Sequence, residues 1–455
     1  MTPPPLPSLG EIVRTFARIG LLGFGGPAAQ IALMHRMLVE EKRWIGETRF
    51  LHALNYCMLL PGPEAQQLAT YVGWLLRGWR GGLIAGLLFV LPGAAIMLVL
   101  SALYALWADI PLVQGLFYGV KCAVLAIVVQ ALARLAARAL KSAAMVWIAA
   151  CAFLALFLFA LPFPLVVAAA ALAGFALSRA LPGSMSAPAA HAAGAGPASG
   201  LVDRLIEAGG LAHTRPDARR FRATLALWLG LWLTPVALIV LLAPGTVWAG
   251  LATFFSKMAV VTFGGAYAVL SYVAQQAVEV HGWLTGPQMI DGLGLAETTP
   301  GPLILVLQFV GFLAAWGAAG PLDPLLAGAL GALLTLWVVF APSFLFIFAG
   351  APYAEALRRR PGIAAALSGV TAAVVGVILN LALWFAMHVL VRGTQSVAVL
   401  GLPLEVPDLA TIDPLACALA GLAAILVFRL RLGVAALVAL FAAAGAALSA
   451  AGFVP

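Results

Sequence analysis

The chain has 455 residues, of which 64% are hydrophobic and only 9% are charged. Because a soluble domain usually carries about a quarter charged residues, this composition argues against soluble enzymes, secreted disulfide scaffolds, coiled coils and disordered proteins. The net charge of +8 does not indicate nucleic-acid binding, since the arginines lie in short loops between apolar runs, as they do in membrane proteins. The sequence therefore predicts a polytopic membrane protein.

Residues that could carry out chemistry are sparse. The four cysteines lie far apart without a CxxC pair, and the six histidines are scattered, so neither a disulfide framework nor a metal site is predicted. The chain contains neither the glycine- and lysine-containing loop of ATPases nor an HExxH zinc motif. We therefore expect no cofactor and no enzymatic activity. The proline-rich segment 1–10 shows no signal-peptide pattern.

Runs of about twenty apolar residues are typical of membrane-spanning helices. In chain order they fall at about 83–107, 113–133, 143–160, 163–181, 222–243, 325–350, 362–391, 412–428 and 433–453. Residues 182–221 are rich in Ala, Gly, Pro and Ser and are predicted to form a solvated cytoplasmic linker. This linker divides the chain into two predicted transmembrane domains, 1–181 and 222–455.

An internal repeat relates the two halves. A shift of 239 residues places Phe24-Gly25-Gly26 on Phe263-Gly264-Gly265, and Pro61-Gly62-Pro63 on Pro300-Gly301-Pro302, without a gap. After insertions, Leu91-Pro92-Gly93 pairs with Ala341-Pro342-Ser343. Apolar composition alone does not hold glycine and proline in one register, so the sequence predicts a duplication.

The charges of the loops predict how the two copies lie in the membrane. Loops that follow the motifs of the first copy are basic, whereas the matching loop 280–288 of the second copy has no lysine or arginine. Basic residues of the second copy occur instead at Arg358-Arg359-Arg360, Arg429 and Arg431. Because positive loops mark the cytoplasmic side, we expect inverted copies. The extra helix at 222–243 supplies the crossing that inverts the second copy.

The same loop charges predict broken helices. Both flanks of 50–76 are basic and both flanks of its counterpart 289–315 are not, so each segment is expected to form a re-entrant hairpin with Pro-Gly-Pro near its tip. Phe-Gly-Gly is likewise predicted to interrupt the apolar segments 11–36 and 250–276. Broken backbone at membrane depth lines a cavity or is buried in protein. Inverted repeats with discontinuous helices are typical of secondary transporters.

These motifs resemble the chromate ion transporter (CHR) family of bacterial membrane proteins, over roughly 15–95 and 254–350. The resemblance rests on Gly23-Phe24-Gly25-Gly26-Pro27, Leu60-Pro61-Gly62-Pro63, Phe89-Val90-Leu91-Pro92-Gly93, Phe263-Gly264-Gly265 and Thr299-Pro300-Gly301-Pro302. The chain departs from the family pattern where Glu64-Ala65 follows the first Pro-Gly-Pro in place of Asn-Ser. It departs again at Met58 and Glu297, where Gln is common, and at Gln30, where His is common.

The resemblance implies the long, two-domain form of a multi-pass secondary transporter in the bacterial inner membrane. Such a transporter exports chromate from the cytoplasm, uses an ion gradient and confers chromate resistance. The implied partners are chromate or a related oxyanion and the lipid bilayer, with a homodimer left open and no nucleic acid. Two alternatives stay open: a carrier of another anion, sulfate-like or organic, on the same fold, and a membrane enzyme, for which no catalytic constellation is visible.

The broken segments supply the candidate substrate site. Glycine pairs permit unusual backbone angles, and at the start of a half-helix they leave free N–H groups and a positive dipole facing an anion. Close helix packing is the alternative. The candidate substrate-binding residues are Phe24, Gly25, Gly26, Pro61, Gly62, Pro63, Phe263, Gly264, Gly265, Pro300, Gly301, Pro302, Arg18 and Lys257.

The charged candidates have separate roles. Arg18 and Lys257, which are equivalent by the repeat, are predicted to neutralise a divalent oxyanion, with snorkelling to the surface as the alternative for Arg18. Lys121 is a further cation for which snorkelling is equally favoured. Glu64 and Glu297 are candidates for proton coupling, because a carboxylate repels an oxyanion when charged and admits it when protonated. The alternative for both is a glutamate that only caps a half-helix.

Overall fold

The computed structural model describes residues 6–180, 199–263, 266–354, 361–399 and 402–453. Helices dominate it, as the apolar runs predict. The helices that precede the second copy are α1 (Leu9–Leu22), α2 (Gly26–His35), α3 (Glu47–Met58), α4 (Glu64–Trp107), α5 (Pro111–Ala139), α6 (Ala143–Phe157), α7 (Phe163–Ala180), α8 (Leu201–Glu207) and α9 (Ala218–Leu242). Those that follow are α10 (Val247–Val261), α11 (Ala266–Ala274), α12 (Gly286–Thr298), α13 (Val306–Gly317), α14 (Pro324–Gly350), α15 (Pro361–Leu390), α16 (Pro414–Phe428) and α17 (Val434–Ala450).

Six helices among the described residues are long and apolar enough to cross a membrane, and the predicted all-α polytopic membrane fold is confirmed. They are Glu64–Trp107, Pro111–Ala139, Phe163–Ala180, Ala218–Leu242, Pro324–Tyr353 and Ala365–Leu390. The spans predicted at 143–160, 412–428 and 433–453 are apolar helices of 15, 15 and 17 residues. They are shorter than the roughly 20 residues that a perpendicular crossing needs.

A small β-hairpin is the one extended element in the described part of the chain. Strand β1 (Thr394–Val399) pairs antiparallel with β2 (Leu402–Pro407). The N–H of Asp413 donates to the carbonyl of Leu390, 2.9 Å away, and so closes the loop that contains the hairpin. The apolar runs do not predict this hairpin, because it lies between two predicted spans.

The secondary structure follows the 239-residue spacing of the motifs. In the first copy α1, α2 and α3 precede Pro-Gly-Pro, and in the second copy α10, α11 and α12 do so. α2 widens into a π-helical turn over Arg36–Glu41, and α11 widens in the same way over Gln275–Val280. The predicted interruption at Phe24-Gly25-Gly26 is observed, because α1 ends at Leu22 and α2 begins at Gly26.

Helix α4 reverses direction early in its course. Arg77 and Gly78 leave the helical region, and Gly78 takes a left-handed φ of 59°. A Cβ on Gly73 would lie only 2.4 Å from the carbonyl oxygen of Gly81, so the two stretches of α4 touch backbone to backbone. In a straight helix these residues would stand about 12 Å apart. The residues before Arg77 therefore form a separate short helix, which the predicted span at 83–107 correctly leaves out.

The chain forms two compact units, and each contains residues of both sequence copies. The first comprises Met1–Leu98, Ala189–Ala266 and Thr299–Ala364. The second comprises Val99–Pro188, Tyr267–Thr298 and Ala365–Pro455. The division into two copies and a linker at 182–221 concerns the duplication of the sequence and stays a prediction. The arginine cluster at 358–360, used to predict the inverted topology, lies outside the described residues.

The predicted linker is not solvated throughout. Helix α8 buries Leu201, Val202 and Leu205, and the carboxylate of Asp203 accepts hydrogen bonds from the backbone N–H groups of Gly46 and Gly200, at 2.7 and 2.8 Å. The guanidinium of Arg49 also pairs with Asp203. The expectation of a solvated segment was therefore wrong for α8. Its apolar residues cover the loop before α3, and Asp203 satisfies a backbone donor there.

Candidate functional site

The first Phe-Gly-Gly motif opens a helix toward free space. Gly25 and Gly26 have φ of 85° and 75°, a left-handed conformation that glycine adopts without strain. A Cβ on Gly26 would meet nothing within 4 Å, and the neighbouring Phe24 is 40% exposed. Because α2 begins here, its first N–H groups have no partners within the helix. The equivalent Gly264 and Gly265 lie outside the described residues.

Each Pro-Gly-Pro turn is bound to the helix break of the other copy. The N–H of Gly62 donates to the carbonyl of Thr262 at 2.8 Å, and the N–H of Gly301 donates to the carbonyl of Gly23 at 3.0 Å. The two donors are 239 residues apart, and so are the two acceptors. The two hydrogen bonds are therefore related by the sequence repeat. They bring the Phe-Gly-Gly and Pro-Gly-Pro motifs together in one compact unit.

The Pro-Gly-Pro glycines, unlike Gly26, are tightly enclosed. Gly62 and Gly301 have φ of 115° and 96°, and a Cβ on Gly62 would lie 2.8 Å from the hydroxyl oxygen of Ser343. A Cβ on Gly93 would lie 2.0 Å from the carbonyl oxygen of Pro300. Gly93 and Ser343 occupy matched positions in the two copies. At these turns glycine permits close packing. The N-terminus of helix α2 at Gly26, in contrast, faces free space.

Buried glutamines surround the crossed turns. The amide nitrogen of Gln30 donates to the carbonyls of Gly23 and Gly301, at 3.0 and 2.6 Å, and so joins the two copies a second time. Gln67 donates to the carbonyl of Pro61 at 2.7 Å, and Gln308 donates to that of Ala94 at 2.9 Å. The side-chain oxygens of all three glutamines are buried and find no hydrogen-bond partner among the described residues. Such atoms are typical of sites that hold water or a polar ligand.

The predicted cations lie at the exterior of this arrangement. Arg18 is exposed on α1, on the same side as Glu11 and Arg14, while the opposite side of the helix is buried. Lys257 is exposed at the matched position of α10. Neither therefore lies among the buried glutamines. A cation on an exposed face can draw an anion toward a site without holding it inside.

The two predicted coupling carboxylates differ in their surroundings. Glu64 is partly buried at the first residue of α4, and no hydrogen bond or ion pair joins its carboxylate to another described residue. Glu297 is only 4% exposed near the end of α12. It belongs to the second compact unit, where the hydroxyl of Tyr267 donates a hydrogen bond to its carboxylate. Only Glu297 thus has a defined neighbour that holds its carboxyl group in place.

An ion pair in the second unit, between a buried aspartate and a partly buried lysine, was not predicted from the sequence. Asp291 on α12 is 4% exposed, its carboxylate lies 3.4 Å from the ammonium of Lys121 on α5, and it accepts a hydrogen bond from the hydroxyl of Tyr104 at 2.8 Å. A carboxylate within apolar helices is costly and marks a functional site by default. The signal was present in the sequence as an aspartate inside an apolar segment.

No group of three or more His, Cys, Asp or Glu side chains in the described residues is placed to hold a metal ion. Most buried polar residues of the first unit are neutral, and Glu47 and Asp203 are the buried carboxylates among them. The unpaired N–H groups at the start of α2 can donate hydrogen bonds to an oxyanion, whereas the unpaired glutamine oxygens only accept hydrogen bonds.

The sequence matches the family model described as "Chromate transporter" over residues 10–175 and 248–448. It is 34% identical over 381 residues to the chromate transport protein of Pseudomonas aeruginosa, covering 83% of this chain and 80% of the relative. It is 30% identical over 386 residues to that of Cupriavidus metallidurans, covering 82% of each chain. A probable chromate transport protein of Synechococcus elongatus is 29% identical over 395 residues, covering 86% of each chain. No solved structure matches the chain.

The substitution Gln30→Met tests the bridge between the copies. It preserves the approximate side-chain volume but removes the donor to Gly23 and Gly301. We expect the free energy of unfolding to fall by about 1–2 kcal/mol, as measured by denaturant titration in mixed micelles. Gln114→Met, at an exposed position of α5, is the matched control and should leave the value unchanged. Equal stability of the two variants would contradict the bridging role.

The Lys121–Asp291 pair is tested by a double-mutant cycle. Either Lys121→Met or Asp291→Asn leaves one polar group without its partner, and each should lower the unfolding free energy by about 2 kcal/mol or more. The double variant should lose less than the sum of the two, because it leaves no unpaired charge. Lys141→Met, at an exposed position, is the control. Additive losses, measured by the same titration, would show that the two charges act independently.

Proposed function

The chain belongs to the chromate transporter family, and from this premise we propose that it exports chromate across the bacterial inner membrane as a secondary active transporter. Export of chromate would confer chromate resistance on the cell. Membership of a transporter family and the six helices that can cross a membrane support a multi-pass carrier over an enzyme. No ATP-binding motif occurs in the sequence, which favours an ion gradient as the energy source.

The crossed hydrogen bonds between Phe-Gly-Gly and Pro-Gly-Pro carry this proposal. They hold broken backbone in the apolar interior, which is tolerated only where it lines a cavity or is buried in protein. The open N-terminus of α2 at Gly26 offers unpaired N–H groups and a positive dipole end to an oxyanion. By the repeat, Gly264 and Gly265 would take the same role in the second copy. Phe24 and Phe263 directly precede the two glycine pairs in the sequence.

Arg18 and Lys257 would attract the dianion before it binds, because both side chains lie on exposed helix faces. Their matched positions on α1 and α10 place one cation about two helical turns before each glycine pair. An exposed cation raises the local concentration of anions and accelerates their capture. Because these two side chains are not buried, they would bind chromate loosely enough to release it.

Proton coupling is assigned to Glu297 first and to Glu64 second. Glu297 lies three residues before Pro300 in the sequence, and Glu64 directly follows Pro63. A deprotonated carboxylate would repel an oxyanion, and its protonation would remove that repulsion. The Tyr267 hydroxyl, which donates to the Glu297 carboxylate, would orient it for proton exchange. Lys121 and Asp291 form an ion pair in the same unit, so their charges compensate each other.

A sulfate-like anion is the second candidate cargo. Sulfate and chromate are both tetrahedral dianions, so hydrogen-bond donors that fit one also fit the other. The departures from the family pattern at Glu64 and Gln30 fall within the motifs of the site. Gln30 donates to two backbone carbonyls, so that position serves the backbone rather than the ligand. Selectivity among tetrahedral oxyanions would then depend on other groups.

Uptake of chromate into everted membrane vesicles tests the function. Everted vesicles that contain the protein should accumulate chromate, and a protonophore should abolish the accumulation, because export in the cell is uptake in this orientation. Sulfate in excess reports whether the site admits a second dianion. If folded, inserted protein supports no chromate uptake, the chromate assignment is wrong and the cargo is another anion.

The same assay separates the site residues by matched variants. Lys257→Ala should reduce the initial rate by about tenfold, the equivalent of about 1.4 kcal/mol, and Glu297→Gln should make the remaining uptake insensitive to the protonophore. Lys141→Ala and Glu207→Gln, both at exposed positions, should transport normally. Wild-type behaviour of both Lys257→Ala and Glu297→Gln would reject the site assignment while leaving the family membership in place.

The inverted arrangement of the two copies is tested by cysteine labelling. Glu41 and Val280 are exposed and matched by the repeat, and the loop charges predict that they face opposite sides of the membrane. In a background without the four native cysteines, a membrane-impermeant thiol reagent should label Val280→Cys from the periplasm and Glu41→Cys only after permeabilisation. Labelling of both from the same side would exclude inverted copies.

A further inference from the structure

The first compact unit contains a cavity of about 1220 Å³. Helices α4, α9 and α14 line it with side chains that are mostly apolar. The lining includes Leu87 of α4, Leu227 of α9 and Phe340 of α14. Helix α9 is the extra helix that has no counterpart in the first copy. The cavity is therefore a feature that the repeat does not explain.

Aromatic contacts fix α9 along one side of the cavity. The indole of Trp228 stacks on the ring of Phe344 of α14, with centroids 5.4 Å apart. The indole N–H of Trp337 donates to the carbonyl of Leu231 at 3.0 Å. Both contacts join residues that line the cavity. They hold α9 at a fixed place on α14 while a slot persists between α9 and α4.

The depth of the slot matches one leaflet of a bilayer. On α4 its lining runs from Trp79 to Leu91, and on α9 from Arg220 to Leu231. At 1.5 Å per residue these stretches rise by about 18 Å and 16 Å. Half of a hydrocarbon core about 30 Å thick is about 15 Å. The slot is therefore as deep as an extended acyl chain of one leaflet requires.

Positive charge is concentrated at one end of the slot. Arg77 and Arg220 line that end together with His213 and Trp79, while the far end is formed by apolar residues. Burial lowers the pKa of His213, and the nearby charge of Arg220 lowers it further despite backbone hydrogen bonds that raise it, so this charge comes from the arginines. Trp79 is 63% exposed, as expected of an aromatic residue at the headgroup level.

Both arginines keep donors for a ligand. The Nε and one terminal nitrogen of Arg77 donate to the carbonyls of Pro7 and Leu6, at 2.8 and 3.2 Å. These bonds fix the guanidinium at the charged end of the slot, and its other N–H groups can donate to a ligand. The guanidinium of Arg220 makes no hydrogen bond or ion pair to the described residues. Guanidinium groups favour phosphate because their N–H groups match two of its oxygens.

We propose that this slot binds one anionic phospholipid of the cytoplasmic leaflet, with its phosphate at Arg77 and Arg220 and an acyl chain between α4, α9 and α14. Basic pockets between membrane helices on the cytoplasmic side are the kind of site that selects anionic lipid headgroups. A lipid suits the slot better than a second copy of the chain, because the arginines lie at one end and the rest of the lining is mostly apolar. The lipid would fasten α9, the helix that links the two copies, to the first copy.

Native mass spectrometry of the purified full-length chain tests the lipid site with phosphatidylglycerol and phosphatidylcholine as probes. We expect one phosphatidylglycerol to bind at least about fivefold more tightly than phosphatidylcholine. Arg220→Gln should abolish most of this preference, since one arginine near the surface is worth about a fivefold change in affinity. Arg219→Gln, which changes the adjacent exposed arginine outside the lining, should retain it.

A second pair of variants tests the acyl-chain slot independently of charge. Leu227→Trp fills the slot from α9 and should reduce binding of both lipids, whereas Leu238→Trp, at an exposed position of the same helix outside the lining, should not. Equal binding of the two lipids by the wild type, or equal losses in Arg220→Gln and Arg219→Gln, would overturn the proposal. Full displacement of phosphatidylglycerol by inorganic phosphate would also overturn it, because only a headgroup contact would remain. Binding is read without transport, so the outcome is independent of the chromate assay.

Discussion

The pair of backbone hydrogen bonds between the copies is the constraint on which the first unit depends. A backbone N–H that is buried in an apolar interior without a partner costs several kcal/mol, and the N–H groups of Gly62 and Gly301 lie at turns where no helix can supply one. The carbonyls of Thr262 and Gly23 supply the partners, because the helix breaks before Phe263 and Phe24 leave those carbonyls free. The helix break of each copy thus supplies the hydrogen-bond acceptor that the Pro-Gly-Pro turn of the other copy needs. A substitution at either motif affects both copies for this reason.

Close backbone contact is what permits this crossing. A Cβ at Gly62 or Gly93 would overlap Ser343 or the Pro300 carbonyl, so the turns approach each other without side chains between them. The buried glutamines then satisfy the remaining carbonyls, and Gln30 does so for both copies at once. Position 30 corresponds to Val269 in the repeat, so this bridge exists on one side only. The backbone hydrogen bonds of Gly62 and Gly301 are thus related by the repeat, whereas the side-chain hydrogen bonds of Gln30 occur in one copy only.

Much of the architecture could be predicted from the sequence, because apolar runs and Gly-Pro motifs are local signals. The spans and the break at Phe24-Gly25-Gly26 follow from them. The docking of Asp203 beside Gly46 and the pairing of Lys121 with Asp291 join residues more than 150 positions apart, and no periodicity reports such contacts. The charged and glycine residues at Arg77 and Gly78 do separate two predicted segments, but no local signal reports that Gly73 and Gly81 meet backbone to backbone. The sequence therefore predicts the helices and their breaks, whereas the pairing of distant polar residues depends on tertiary contacts.

The distribution of charge bears on how a dianion could pass through such a protein. Among the described residues, none of the buried side chains is a lysine or an arginine. A buried, permanent cation opposite a dianion would form a deep energy well at low dielectric, and transport requires binding that is weak enough for release. In the proposed site, backbone N–H groups at Gly26 and cations on the exposed faces of α1 and α10 would attract the dianion without such a well. Neutral donors inside and cations outside therefore suit a carrier better than a high-affinity binding protein.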